Sequence, residues 1–560
     1  MLRLARAPLA LALACLAACA QRQPMQELRA EYQALRKLQA LRAWYAATRG
    51  EAGEVLLAPA GLSRPGAIGL LERAVQAPGL DAGEALALRF LRRALAADEI
   101  ALATAPLDAE AARIEVEATV RWDGAPLAFR DIPMALKSEP DSTRRRALDA
   151  LATGVYAAQL NPILLRRQPA EEAAARRSGF SSFIALSEDL REVRLTELLR
   201  AGAAYVRATD SLYAQLLDRL AREDLGIPGE ELRAADLPRL WSAPRLCIEP
   251  GAALPVLRSF LAGIGLDLRT AAGTEVRIDD ARDPRKRNRA FVEAVDAPAD
   301  VRLSVKPSGG LDDEWTLFHE AGHAVHFAWA TVRPPELRTM GYGAPAEAFG
   351  ELFRAVFTDP LWLARYAQAL AELGVHAPGR AGLASILRHT ALLEMYQVRR
   401  YAFAKVAYEM RLHGSPLSSI EPALALLGSR EGLAGDSPEA LRALYRALFA
   451  RAGGFPLDAG DAERYLADVD PTFASADYAR AFALAGMLHE AIRARFGPDW
   501  TRNAEVGRFL RVELFAQGTA LSPEDVTERL GFGRTVDFDF AARRAGRLAA
   551  DADRLERAAP

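Results

Sequence analysis

Cysteine and histidine are the scarce residues of this 560-residue chain. Three cysteines, Cys15, Cys19 and Cys247, are too few for a disulfide framework. Stability must come from a buried core, which a chain of this length can build. No sign of charge dominates: 71 basic and 73 acidic side chains leave a net charge of −2 and no electrostatic case for a nucleic-acid partner. The apolar run Ala7–Ala18 falls short of the roughly 20 residues that span a bilayer. No G-x-S-x-G stands in the chain and Cys247 has no histidine near it in sequence, so serine or cysteine nucleophiles find little support. There is no repeat at a fixed period and no low-complexity tract beyond alanine richness.

What is present favours helix. Alanine, leucine and arginine recur throughout a composition that is 51% hydrophobic and 26% charged. Arg3 and Arg6 precede the apolar run, which ends in Leu16-Ala17-Ala18-Cys19. That ending looks like a bacterial lipobox. It implies a signal peptide over 1–18, an acylated Cys19, and an exported lipoprotein held on a membrane and facing the periplasm. A plain signal peptide cut nearby is the other reading. Residues 19–110 read as long amphipathic helices. Residues 111–245 form a helical lobe with one short hairpin, because Ile114, Val116, Ala118, Val120 and Trp122 alternate with polar residues before an Asp123-Gly124 turn. Residues 246–560 hold a second β patch, "NRAFVEAVDAPADVRLSV", whose Pro298 and Asp296 suit a sheet edge, and are otherwise helical.

The scarce histidines are not scattered. Three of the seven fall in "HEAGHAVH", at 319, 323 and 326. Leu311–Ala330 reads as one helix with Asp312 placed to cap its first turn. His319 and His323 then project from one face, where two imidazoles can meet one Zn²⁺. Glu320, one step round, is placed to touch a water held by that ion, the HExxH arrangement of a metallopeptidase. Chance would produce this pattern about 0.006 times in a chain with so few histidines. Gly322 has no helical merit, and its position suggests close approach by a substrate or another segment. The metzincin pattern is excluded by His326 and Trp329, and a glutamate nineteen or twenty residues past His323 is excluded by Tyr342 and Gly343. The next suitable acids lie in "GAPAEAFGELFRAVF", where Glu347 and Glu351 are one turn apart. Glu347 is the expected third ligand, and Glu351 the acceptor that orients a ligating histidine.

"HEAGHAVH", with the glutamate of "AEAFGE" 24 residues beyond His323, resembles the gluzincins of the angiotensin-converting-enzyme type and their relatives, the thimet oligopeptidase and oligoendopeptidase F family. The likeness extends to "RAFVEAVDAPADVRLSVKPSGG" and to "FASADYARAFALAGMLHEAI". It implies a mainly α, two-lobed helical clamshell with a deep central channel, a small β-sheet at the active-site edge, and a lid from residues 19–110. It also implies one Zn²⁺ and hydrolysis of short peptides, with Glu320 as general base and Tyr478 holding the oxyanion; Tyr396 and Tyr401 are the rival tyrosines. Phe291, Val292, Glu293 and Ala294 would be the strand that pairs with the peptide. Two positions depart from the converting enzymes: Asp468 stands where they carry a substrate-binding histidine, and Leu466 where they carry a lysine. This puts dipeptide release and anchoring of a C-terminal carboxylate in doubt. His326 and His489 read as helix residues and not as ligands. The contrasting readings are a catalytically inactive zinc-containing lipoprotein that binds peptides or a partner, and a hydrolase of a non-peptide amide.

Overall fold

Two long helices open the architecture, α1 (Arg6–Arg49) and α2 (Ala82–Glu117). The computed structural model describes residues 6–49, 66–76, 79–242, 253–283, 285–287, 289–307, 311–376 and 378–557, with side chains from Met25 onward. Of the expected signal peptide over 1–18, residues 1–5 and all side chains lie outside the description, as do the side chain of Cys19 and the whole of Cys247. No helix among the described residues is long and apolar enough to cross a membrane.

Helix α2 starts where Asp81 accepts the Glu84 N–H at 2.9 Å, and it runs further than alternation in the sequence suggests. Ile114 and Val116 are its last turn, not strand: the Ala118 N–H still bonds the Ile114 carbonyl at 2.8 Å. Only Thr119–Trp122 (β1) pairs with Ala125–Ala128 (β2), across the Asp123-Gly124 turn. Extending a long helix by one more turn, to 36 residues in all, costs little, which outweighs a short stretch of alternation.

Beyond α3 (Leu195–Leu220) lie three strands, β3 (Arg277–Asp279), β4 (Phe291–Asp296) and β5 (Asp300–Ser304). They form a sheet of order β3-β5-β4, with β5 central and β4 at the edge, antiparallel in the register Phe291↔Ser304 and Glu293↔Arg302. Val301 and Leu303 of β5 are fully buried, whereas β4 is half-buried as the sequence suggests for an edge. The remaining long helices are α4 (Leu311–Ala328), α5 (Gly343–Arg354), α6 (Arg380–Val398), α7 (Pro438–Gly453), α8 (Ser475–Phe496) and α9 (Phe538–Arg557). Asp312 is not a cap: it sits inside the first turn of α4 and pairs with Lys137.

Apolar burial divides into two large cores. One gathers α3, the second half of α6, α7 and part of α9; the other gathers the sheet, α4, α5 and the first half of α6. The first core joins Leu195–Leu240 to Ala391–Ala549 across position 245/246. Helix α8 serves both. Ala476, Ala479 and Ala483 face the first core, and Ala481, Leu484 and Leu488 the second. Small residues on one side and larger ones on the other let α8 run between cores with little exposed surface, and Tyr478 emerges at its open end.

One buried group conflicts with its surroundings. Glu314 of α4 is fully buried and neither carboxylate oxygen has a hydrogen-bond partner. Burial, reinforced by Asp313, pushes its pKa up to about 8. The folded chain therefore holds a proton between about pH 4.5 and 8 that the unfolded chain releases, so this contribution to stability falls as pH rises through that window. Glu314→Gln removes the titration. Urea unfolding at pH 5 and pH 8 is expected to show the variant gaining on the wild type by on the order of 3 kcal/mol; a pH-independent difference would contradict the assignment.

Candidate metal centre

Two helices meet at the histidines, and two glycines let them. A Cβ on Gly322 would stand 2.4 Å from the Phe349 carbonyl oxygen and 2.8 Å from the Gly350 Cα. The close approach that Gly322 suggested in the sequence is thus made by α5. A Cβ on Gly350 would reach 2.9 Å from His319 Cε1 and 3.0 Å from His323 Nε2. Gly350 therefore belongs to the site, though sequence reading passed over it; its one signal was a glycine inside "AFGEL" with no helical merit.

With the backbones this close, His319, His323 and Glu347 converge. The two Nε2 atoms are 3.0 Å apart, and Glu347 Oε2 lies 3.7 Å from His319 and 3.6 Å from His323. A tetrahedral zinc site with bonds of about 2.0–2.1 Å sets its ligand atoms about 3.3 Å apart. The triangle brackets that spacing, and its donors, two imidazoles and one carboxylate, are the types zinc takes. Burial works against charge on His323, yet the neighbouring Glu347 outweighs it and lifts the pKa to about 9. Burial likewise opposes charge on Glu347, and the two histidines overcome it, holding the carboxyl near 2. In the absence of an ion, the shifts describe an ion pair between His323 and Glu347.

A third set of contacts fixes the tautomer. His319 Nδ1 lies 3.2 Å from Glu351 Oε1, a contact that favours the proton on Nδ1 and leaves Nε2 free to ligate. Glu351 is buried and its other oxygen takes Arg354, so the ring is held by a chain of charged groups. His326, by contrast, points away. It is fully buried, its Nε2–H donates to the Gly518 carbonyl at 3.0 Å, and burial depresses its pKa to about 4. His489 is also internal, against Arg544 and Trp500.

The triangle opens on a cleft of about 1000 Å³. Glu320 and Tyr478 line it, with Phe291, Val292 and Glu293 of β4; Ala294 does not reach it. Burial and the nearby Glu347 push the Tyr478 phenol up to about 12, so it remains an O–H donor at neutral pH. Of the rival tyrosines, Tyr401 stacks on Tyr478 at 5.0 Å, while Tyr396 packs on Trp241 beside a separate 490 Å³ cavity. The outer edge of β4 has no further strand among the described residues, and α1 lies along that strand: Trp44 packs on Phe291 at 5.6 Å and Lys37 pairs with Asp296 at 2.8 Å. Ala43 and Ala47 of α1 reach the cleft wall.

Of positions 466 and 468, the second holds a charge network. Asp468 accepts from Lys405 at 3.1 Å and Tyr445 at 3.0 Å and pairs with Arg400; Leu466 is buried. Arg400 and Lys405 sit on a π-helical segment, Arg399–Lys405, that continues α6 and turns them to the cleft. Nothing in the local sequence marks that segment.

Neither a family model nor a curated relative matches this sequence. Solved structures do. A provisionally named peptidase of Chlamydophila abortus superposes with a TM-score of 0.58 at 13% identity, over 87% of this chain and 80% of that one. A provisionally named oligoendopeptidase F of Bacillus anthracis str. Ames gives 0.55 at 15%, over 88% and 85%. The chain shares their fold. The mainly α architecture with small sheets that the sequence implied is the observed one.

If the glycine pair sets the ligand triangle, Gly322→Ala must push α4 and α5 apart. Zinc affinity, read by competition with a chromophoric chelator, is expected to drop about 10–100-fold, with a stability loss of about 1–3 kcal/mol. Unchanged affinity would show that the crossing does not control the site.

Proposed function

We propose that this chain hydrolyses peptide bonds in short peptides, using one zinc ion on His319, His323 and Glu347. The observation that carries the reading is the ligand triangle on the wall of a 1000 Å³ cleft that also holds Glu320 and Tyr478. Zinc, when bound, supplies Lewis acidity toward a water and a peptide carbonyl. Glu320 takes a proton from the attacking water on its carboxylate and delivers it to the leaving amine. Tyr478 donates its O–H to the oxyanion that develops on the carbonyl. Glu351 keeps His319 in the ligating tautomer, and the edge strand β4 offers main-chain groups to an extended peptide, which gives affinity with little sequence preference. The fold shared with two peptidase-named structures supports the same reaction class.

The lipobox extends the proposal to place. An acyl chain on Cys19 would hold the protein on a membrane with its catalytic body in the periplasm. Because Cys19 and Ala43 share α1, the cleft would stand about 36 Å along the helix from the anchor. Cys19→Ser is expected to move the protein into the soluble periplasmic fraction; retention in the membrane fraction would remove the anchor.

The decisive variant for the chemistry is Glu320→Gln. Incubation with a mixed peptide library, read by mass spectrometry, should show cleavage falling about 10³-fold or more while zinc per chain stays at one. Equal cleavage by wild type and variant would sink the hydrolase reading. Absence of cleavage by both, with peptide still bound, would favour a binding lipoprotein.

A further inference from the structure

Most of the cations that line the cleft are paired within the protein. Arg354 is taken by Glu351, Arg400 by Asp468, and Lys405 by Asp468 and Asp470 at 3.1 and 2.9 Å. Arg289 lines the same cleft and has no hydrogen bond or ion pair among the described residues. Its position is not left to chance. The segment before β4 is pinned by Lys286, whose buried ammonium donates to the Asp279 and Val305 carbonyls at 2.7 and 2.8 Å. The Arg287 N–H is held by the Ala47 carbonyl of α1 at 2.8 Å. Arg289 follows on this clamped stretch, two residues before Phe291 opens the edge strand. It shares the cleft wall with His319, His323, Glu347 and Tyr478.

A guanidinium without an ion pair on a cleft wall suits an anionic ligand group. A peptide lying antiparallel to β4 runs with its C-terminal half past the start of the strand, which is where Arg289 stands. The planar guanidinium fork suits a carboxylate bound through two parallel hydrogen bonds. Meanwhile the two positions that could have supplied carboxylate recognition are occupied by buried Leu466 and by an Asp468 that already has three donors.

We propose that Arg289 is the carboxylate anchor of this cleft, binding the substrate's free C-terminus or an acidic side chain and so selecting which peptide bond lies over His319, His323 and Glu347. This rests on the peptidase reading of the same site. Such an anchor places carboxylate recognition on the β4 approach, and it makes the cleft selective for charge where β4 alone is indifferent to sequence.

The test measures binding and turnover separately. Zinc-loaded Glu320→Gln protein is titrated calorimetrically with three versions of one peptide: free C-terminus, C-terminal amide, and amide with an internal Gln changed to Glu. The free acid or the Glu peptide is expected to bind at least about tenfold tighter than the neutral peptide, and which one does identifies the carboxylate. Adding Arg289→Gln should bring that ratio to within about twofold, Arg289→Lys should keep part of it, and raising salt should shrink it. In wild-type turnover the same ratio should appear mainly in KM. A ratio unaltered by Arg289→Gln, in a variant with unchanged circular dichroism, overturns the anchor. A ratio that collapses in binding while wild type cleaves none of the peptides leaves the anchor standing and overturns the hydrolase reading instead.

Discussion

The approach of two helices at Gly322 and Gly350 is the constraint on which the site depends. Each glycine faces backbone or imidazole atoms at distances that leave no room for a Cβ. The lack of two methyl groups brings α5 near enough for Glu347 to join histidines carried by α4. A helix alone presents two imidazoles one turn apart; it cannot also supply a third ligand on the same side at tetrahedral spacing. The crossing solves that problem with rigid elements and not with a loop, and both helices are buried in one core, so their relative position is set by packing.

Around this crossing, charge is organised in layers. Arg354 and Glu351 steer His319 from behind, and Asp468 gathers Arg400 and Lys405 on the facing wall. These networks settle most of the cleft's charges within the protein itself, so a charge left over carries meaning. The same logic separates the histidines. His323 faces the Glu347 carboxylate, which favours its positive form, whereas His326 faces a carbonyl and aromatic rings and stays neutral. Residues three positions apart on one helix thus have opposite electrostatic roles.

Much of the site could be read from the sequence because its signals are local. HExxH places two imidazoles on one helical face by periodicity, and a spacing of four puts Glu347 and Glu351 one turn apart on the next helix. The misses have a common cause, which is that they depend on neighbours distant in sequence. Gly350 matters only because α4 lies against it, Arg289 only because Lys286 and Ala47 fix its approach, and the π-helical turn of Arg400 and Lys405 only because Asp468 meets it 63 residues further on. Ile114 and Val116 failed in the opposite direction: a local strand pattern was absorbed by the end of a long helix. The two cores were equally hidden, since α6 and α8 each feed both.

The central claim is that one metal ion sits between these two helices on two imidazoles and one carboxylate. X-ray absorption at the zinc edge of the zinc-loaded, full-length protein tests it most directly. The structure predicts two imidazole nitrogens and two or three oxygens at about 2.0–2.2 Å with no sulfur neighbour. A third imidazole, a sulfur shell near about 2.3 Å, or failure of the chain to retain one zinc would contradict it.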